Sequence, residues 1–187
     1  SAKEEQKRLQ NDTEQLERSV KDAPSIIEIM RKDIEVVGQL LGRDKIEKMN
    51  LEQLNDRLMQ LESQQHALEL ALGDVYQQIA QQQNVPTQAR EKIAALQTSL
   101  DDTEKRIQTL QNATEGVQEL KLQLAMSERD RLVALRKLNE SQLDGYQKML
   151  ELYTANRDLL TAQLGATKEV YAAVQTRFDL LSKNEAA

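Results

Sequence analysis

The run SQLDGYQKMLELYTANRDLLTAQLGATKEVYAAVQTRFDLLSK, Ser141 to Lys183, decides the fold. Its apolar positions step by alternating threes and fours: Leu143, Tyr146, Leu150, Tyr153, Leu160, Leu164, Tyr171, Val174, Phe178 and Leu181. Only Arg157 and Thr167 interrupt that seam. A stripe of this period specifies a helix that must lie against other helices. At 1.5 Å per residue it would extend roughly 65 Å. A compact globule of 187 residues cannot cover such a length, so the rest of the chain reads as helices packed alongside.

Composition agrees. There is no Cys or Trp, one Phe, and only 3% aromatic residues, so Leu, Ala, Ile and Val must supply the buried surface. That suits narrow helix–helix seams better than a deep round core. Charged residues make up 30% of the chain, with two Pro and six Gly, the composition of long helices and coiled coils. The net charge of −6 is spread over interspersed signs. The basic face of a nucleic-acid binder is therefore absent, and docking on anionic lipid is disfavoured. No apolar run reaches the roughly 18 residues of a membrane span, and no signal-peptide pattern is seen. The lack of Cys fits the cytosol or the bacterial periplasm equally.

Working outward, the first helix is expected over 3–41, with the seam Leu9, Thr13, Leu16, Val20, Ala23, Ile27, Met30, Ile34, Val37, Leu41. Pro24 either kinks it or opens a fresh helix capped by Asp22; the unbroken phase favours a kink. Its first dozen residues are polar and read as frayed or lacking a partner. Gly42 suits a helix C-cap, and Asn50 with Gln53 makes a capping box. A second helix is expected over 51–83, with Leu51, Leu54, Leu58, Leu61, Gln65, Leu68, Leu72, Val75 and Ile79 on its seam. Asn84 to Thr87 reads as a turn, because Pro86 pushes Val85 out of the helical region. The third helix, 87–111, returns antiparallel as a hairpin on Ile93, Leu96, Leu100, Thr103, Ile107 and Leu110. A fourth, 117–138, carries leucines around much of its circumference and is placed centrally. Asn139 to Ser141 offers caps for a fifth, 141–183, although one continuous helix is the alternative. A Pro-started helix, a break and a Leu-marked helix recur weakly in both halves. The fold expected is all-α, a single domain over 1–187, an elongated bundle of antiparallel coiled-coil helical hairpins.

Chemistry is hard to find. His66 is the only histidine and reads as a helix-surface residue, since a metal site needs several converging ligands. Asp101, Asp102 and Glu104 could bind a cation or exchange protons. However, Asp101 to Lys105 and Asp102 to Arg106 have the i,i+4 spacing of surface ion pairs. Glu128, Arg129, Asp130 and Arg131 read as a solvated face in the same way. The stripe Tyr146, Tyr153, Tyr171, Phe178 could stack on bases, but its heptad spacing assigns it to packing. No phosphate-cradling glycine motif occurs. No catalytic, cofactor-binding or metal-ligating residue is therefore expected, and the chain does not read as an enzyme. Gln65, Thr103, Arg157 and Thr167 interrupt apolar seams; such residues can fix register or partner, or mark places where a seam faces water.

The order of segments carries a resemblance. Met49 to Leu110 runs as a leucine-marked helix, a Gln-rich end (Gln81 to Gln83), a proline, and an Ala/Gln/Leu-rich helix. Then follow LKLQLAMSERDRLVALRKL (Leu120 to Leu138) and QLDGYQKMLELYTANRDLL (Gln142 to Leu160). Together with Ala23-Pro24 and Tyr153 to Asn156, this is similar to the N-terminal periplasmic "porin" region of the large MscS-like mechanosensitive channels. These are the potassium-dependent MscK (KefA) type and the miniconductance relative. The resemblance implies a helical periplasmic domain of a bacterial inner-membrane channel acting in osmotic stress. It implies as partners the membrane-embedded remainder of the same polypeptide and further copies of it, with no nucleic acid and no small-molecule substrate. The family's membrane and pore regions are not in these residues, which alone cannot conduct ions. A coiled-coil adaptor or scaffold, such as an efflux-pump hairpin or a cytosolic tether, is the competing expectation.

Overall fold

A computed structural model of the chain describes residues 1–39, 43–112 and 117–186, apart from the side chains of 43, 44 and 117. It is an all-α bundle of helical hairpins, with no strand among the described residues. Three long helices, α1 (Ala2–Val36), α2 (Leu51–Gln111) and α3 (Val117–Ala186), replace the five expected. A short 3₁₀ helix, Arg43–Lys48, lies between α1 and α2.

Both interior prolines sit inside helices. α1 is continuous through Pro24, so Asp22 caps no fresh helix. α2 is continuous through Pro86, so the expected turn at 84–87 and its hairpin are not formed. The physical reason is packing. Across Pro86 the buried and half-buried positions keep stepping by fours and threes: Val75, Ile79, Gln82, Pro86, Ala89, Ile93, Leu96. Burial along an unbroken seam outweighs the one backbone hydrogen bond that a proline removes. α3 likewise passes through the expected cap at 139–141. Asn139 Nδ2 donates to the Leu135 carbonyl at 2.9 Å, and the Ser141 hydroxyl donates to Glu17 at 3.1 Å, so neither side chain caps a helix.

The break before α2 is as expected. Asn50 Oδ1 accepts from the Gln53 amide at 2.8 Å, and Gln53 Oε1 accepts from the Asn50 amide at 3.0 Å, a reciprocal capping box. α1 ends five residues before the expected Leu41; residues 37–39 form a turn containing Gly38. The expected cap at Gly42 and most of the stretch between the expected third and fourth helices lie outside the described residues.

The helices contribute to two compact units. The first comprises 1–23 and 81–150. In it α2 and α3 run antiparallel, since Glu104 faces Arg129 while Gln97 meets Arg136. Leu96, Leu100 and Leu132 form its buried cluster, with Leu135 against it. The α1 segment lies parallel to α3: Glu5 meets Arg131 and Glu17 meets Ser141. The expected fraying of the first dozen residues is not seen. α1 starts at Ala2, and Leu9 and Thr13 are buried.

The second unit comprises 24–80 and 151–187. Ile46, Leu54, Leu58, Leu61, Val170 and Val174 make its core, and Met49, Tyr171, Phe178 and Leu181 pack on it. Leu54, Leu61, Val170 and Val174 are fully buried. Each such side chain contributes about 1.5–3 kcal/mol. The far end of the Ser141–Lys183 run therefore packs against the start of α2.

Candidate functional site

The sequence candidates do not converge. His66 is exposed on α2. Asp101 accepts from Gln97 Nε2 at 3.0 Å, a contact along the surface of its own helix. Among the described residues no group of three or more His, Asp or Glu is arranged to hold a metal. Tyr171 and Phe178 pack on the core of the second unit, whereas Tyr146 and Tyr153 are half-buried.

Polar residues in the seams are satisfied locally. Thr13, Thr103 and Thr167 are buried, and each hydroxyl donates to the carbonyl four residues earlier, at 2.7–2.9 Å. Gln65 and Arg157 are only half-buried, and Arg157 pairs with Asp158 at 3.1 Å, so the seam opens to water there.

The stretch Ser127 to Arg131 does more than face solvent. Alternate side chains reach opposite neighbours within the first unit. Arg129 approaches Glu104 of α2 at 3.8 Å, and Arg131 approaches Glu5 of α1 at 3.4 Å. Arg131 also makes a two-pronged pair with Glu128, at 2.7 and 3.0 Å. That hydrogen bond from Arg131 holds the Glu128 carboxyl below the usual carboxylate range against a smaller opposing effect of burial. The same bond raises the Arg131 guanidinium, with Glu5 adding to it. The sequence signal for this role was the spacing of two, which on a helix points side chains far apart.

Helix α3 approaches α1 closely at Gly145. A methyl group placed there would lie 2.6 Å from Cγ2 of Val20. Between the same two helices runs a groove of about 520 Å³, lined by Gln6, Gln10, Thr13, Glu14 and Glu17 of α1 and by Asp130, Val133, Ala134 and Lys137 of α3. In the second unit, a groove of about 730 Å³ lies between the 3₁₀ helix and α3, with Ile46, Ala172, Ala173 and Leu180 among its walls.

Exposed aliphatic side chains are the remaining surface feature. Leu120 and Leu124, each 63% exposed, sit four apart on α3. They lie on the same face as Arg131, Ala134, Ser141 and Gly145, by steps of threes and fours. That face is covered by α1 only from about Arg131 onward, which corrects the expectation that the whole 117–138 segment is central. On α1, Ile26, Ile29 and Val36 are likewise exposed.

The family described as the mechanosensitive ion channel porin domain matches residues 1–186. The chain belongs to this family. No curated protein and no solved structure matches it significantly. The match covers all three helices of the porin domain, so the channel association applies to both units. None of the described helices is long and apolar enough to cross a membrane. The porin domain is thus a helical domain associated with a channel family.

Proposed function

We propose that residues 1–187 act as one non-catalytic, periplasmic domain of an inner-membrane mechanosensitive channel working in osmotic stress. In this reading the domain modulates gating or mediates contacts between copies of the channel. Its partners are the membrane-embedded remainder of the polypeptide and further copies of the chain. The observation that carries the reading is the family match over 1–186. The exposed aliphatic residues Leu120 and Leu124 on a helix face that is covered farther along support the role in contacts. No nucleic acid and no small-molecule substrate enters this reading.

Patch recordings of the full-length channel with and without this segment test it. A shift in tension threshold, or in the dependence on external ions, is expected on deletion. Unchanged gating together with unchanged assembly would overturn the proposal.

A further inference from the structure

The contacts of α1 in the first unit differ in kind from those between α2 and α3. The α2–α3 pairing rests on Leu96, Leu100 and Leu132. Over residues 1–23, α1 fully buries one large aliphatic side chain, Leu9, with the small residues Thr13 and Ala23, while Leu16 and Val20 are half-buried and Val20 packs on Gly145. Among the described residues its polar contacts with α3 include three from carboxylates: Glu5 to Arg131 at 3.4 Å, Glu17 to Lys137 at 3.7 Å, and Glu17 to Ser141 at 3.1 Å. Glu14, Glu17 and Asp130 line the same open groove, with Lys137 as its one cationic wall among the described residues. The helix therefore meets α3 across an acidic, incompletely packed seam, and Arg131 and Lys137 are the cations that offset it. At the end of this segment Pro24 has no N–H to give the Val20 carbonyl, so the hydrogen-bond ladder of α1 is weakest there.

We propose that residues 2–23 of α1 form a strap, held on α3 by the cationic clamps Arg131 and Lys137, that lifts as a unit while the α2–α3 hairpin stays intact. Lifting uncovers the face of α3 bearing Ala134, Ser141 and Gly145. Segments with few buried apolar contacts open at lower free energy than cores and exchange their amides sooner. The proposal stands independently of the channel reading.

Native-state hydrogen exchange on the whole chain tests it. In the wild type, amides of 6–20 exchange faster than those of 92–107. In the double variant Arg131→Gln, Lys137→Gln, exchange over 6–20 rises roughly two- to thirty-fold, the range expected for losing two partly exposed ion pairs, while 92–107 is essentially unchanged. The swap Glu17→Lys with Lys137→Glu keeps the pair and returns protection toward the wild type, compared with Lys137→Glu alone. Equal acceleration over both segments, no acceleration in the double variant, or no rescue by the swap would overturn the strap.

Discussion

Replacing Gly145 by alanine adds a methyl group where α1 and α3 already touch. The new carbon would sit 2.6 Å from Val20 Cγ2 and 3.7 Å from Val20 Cβ and Cγ1. Carbon atoms are comfortable at about 3.5–4.0 Å, so the deficit is about 1 Å. Val20 is β-branched and holds one strongly preferred rotamer in a helix, so its methyl cannot swing aside. The two helices must separate instead, at a cost of about 1–3 kcal/mol for overpacking. Alanine's better helix propensity returns about 1 kcal/mol. The net expectation is a loss of up to about 2 kcal/mol, or a fall in Tm of several degrees. Gly73 and Gly165, also helical, have nothing within 4 Å of a built methyl group. Alanine at each of those should stabilise by about 0.5–1 kcal/mol. Thermal and urea unfolding followed by circular dichroism ranks the three variants. The decisive arm is Val20→Ala combined with Gly145→Ala, which removes the clash and should recover most of the loss seen with Gly145→Ala alone. If Gly145→Ala raises Tm as much as Gly73→Ala and Gly165→Ala do, the close approach is wrong.

Two further outcomes are expected from the second unit. Leu61→Ala, at a fully buried position, should cost about 2–5 kcal/mol in urea unfolding, whereas Leu70→Ala, at a position 60% exposed, should change stability by less than about 0.5 kcal/mol; comparable losses would contradict the assigned core. Tyr171 donates to Glu62 at 3.0 Å, and this hydrogen bond raises its phenol above the ordinary value of 10.0. Because the folded value is raised, the bond's contribution is present below the unfolded tyrosine range and lost as pH climbs through the folded one. Tyrosinate absorbance should show Tyr171 titrating at lower pH in Glu62→Gln, and an unchanged titration would refute the contact.

Much of the packing was legible in the sequence because leucine seams report burial directly. Leu54, Leu58 and Leu61 on α2, and Leu96, Leu100 and Ile107 farther along it, are buried as their phase requires. Connectivity was harder. Proline, asparagine and serine are read as punctuation, yet Pro86, Asn139 and Ser141 all lie inside helices. The phase through Pro86 held the correct answer, just as it did at Pro24, because a two-helix hairpin has no reason to keep one heptad register across its turn. On α3 the half-buried seam of Leu143, Tyr146 and Leu150 understated the contacts. Met149, Ala155 and Val170, off that seam, are buried as well, since one helix meeting neighbours on two sides carries two overlapping stripes. The clamp at Arg131 was invisible for a different reason: its partner Glu5 is 126 residues away, and a charged residue's sequence neighbours do not reveal a distant one.

The buried threonines carry a consequence for how this bundle recognises its own helices. Thr13, Thr103 and Thr167 each spend their hydroxyl on a carbonyl of their own turn. With the hydroxyl so engaged, each threonine requires no polar partner from a neighbouring helix. A buried asparagine at such a place would demand one matching acceptor and reject every other alignment. These positions demand nothing, so they leave discrimination to shape and to the few charged contacts. The seams are consequently tolerant of exchange, and a helix of like phase from another molecule would meet no chemical veto there.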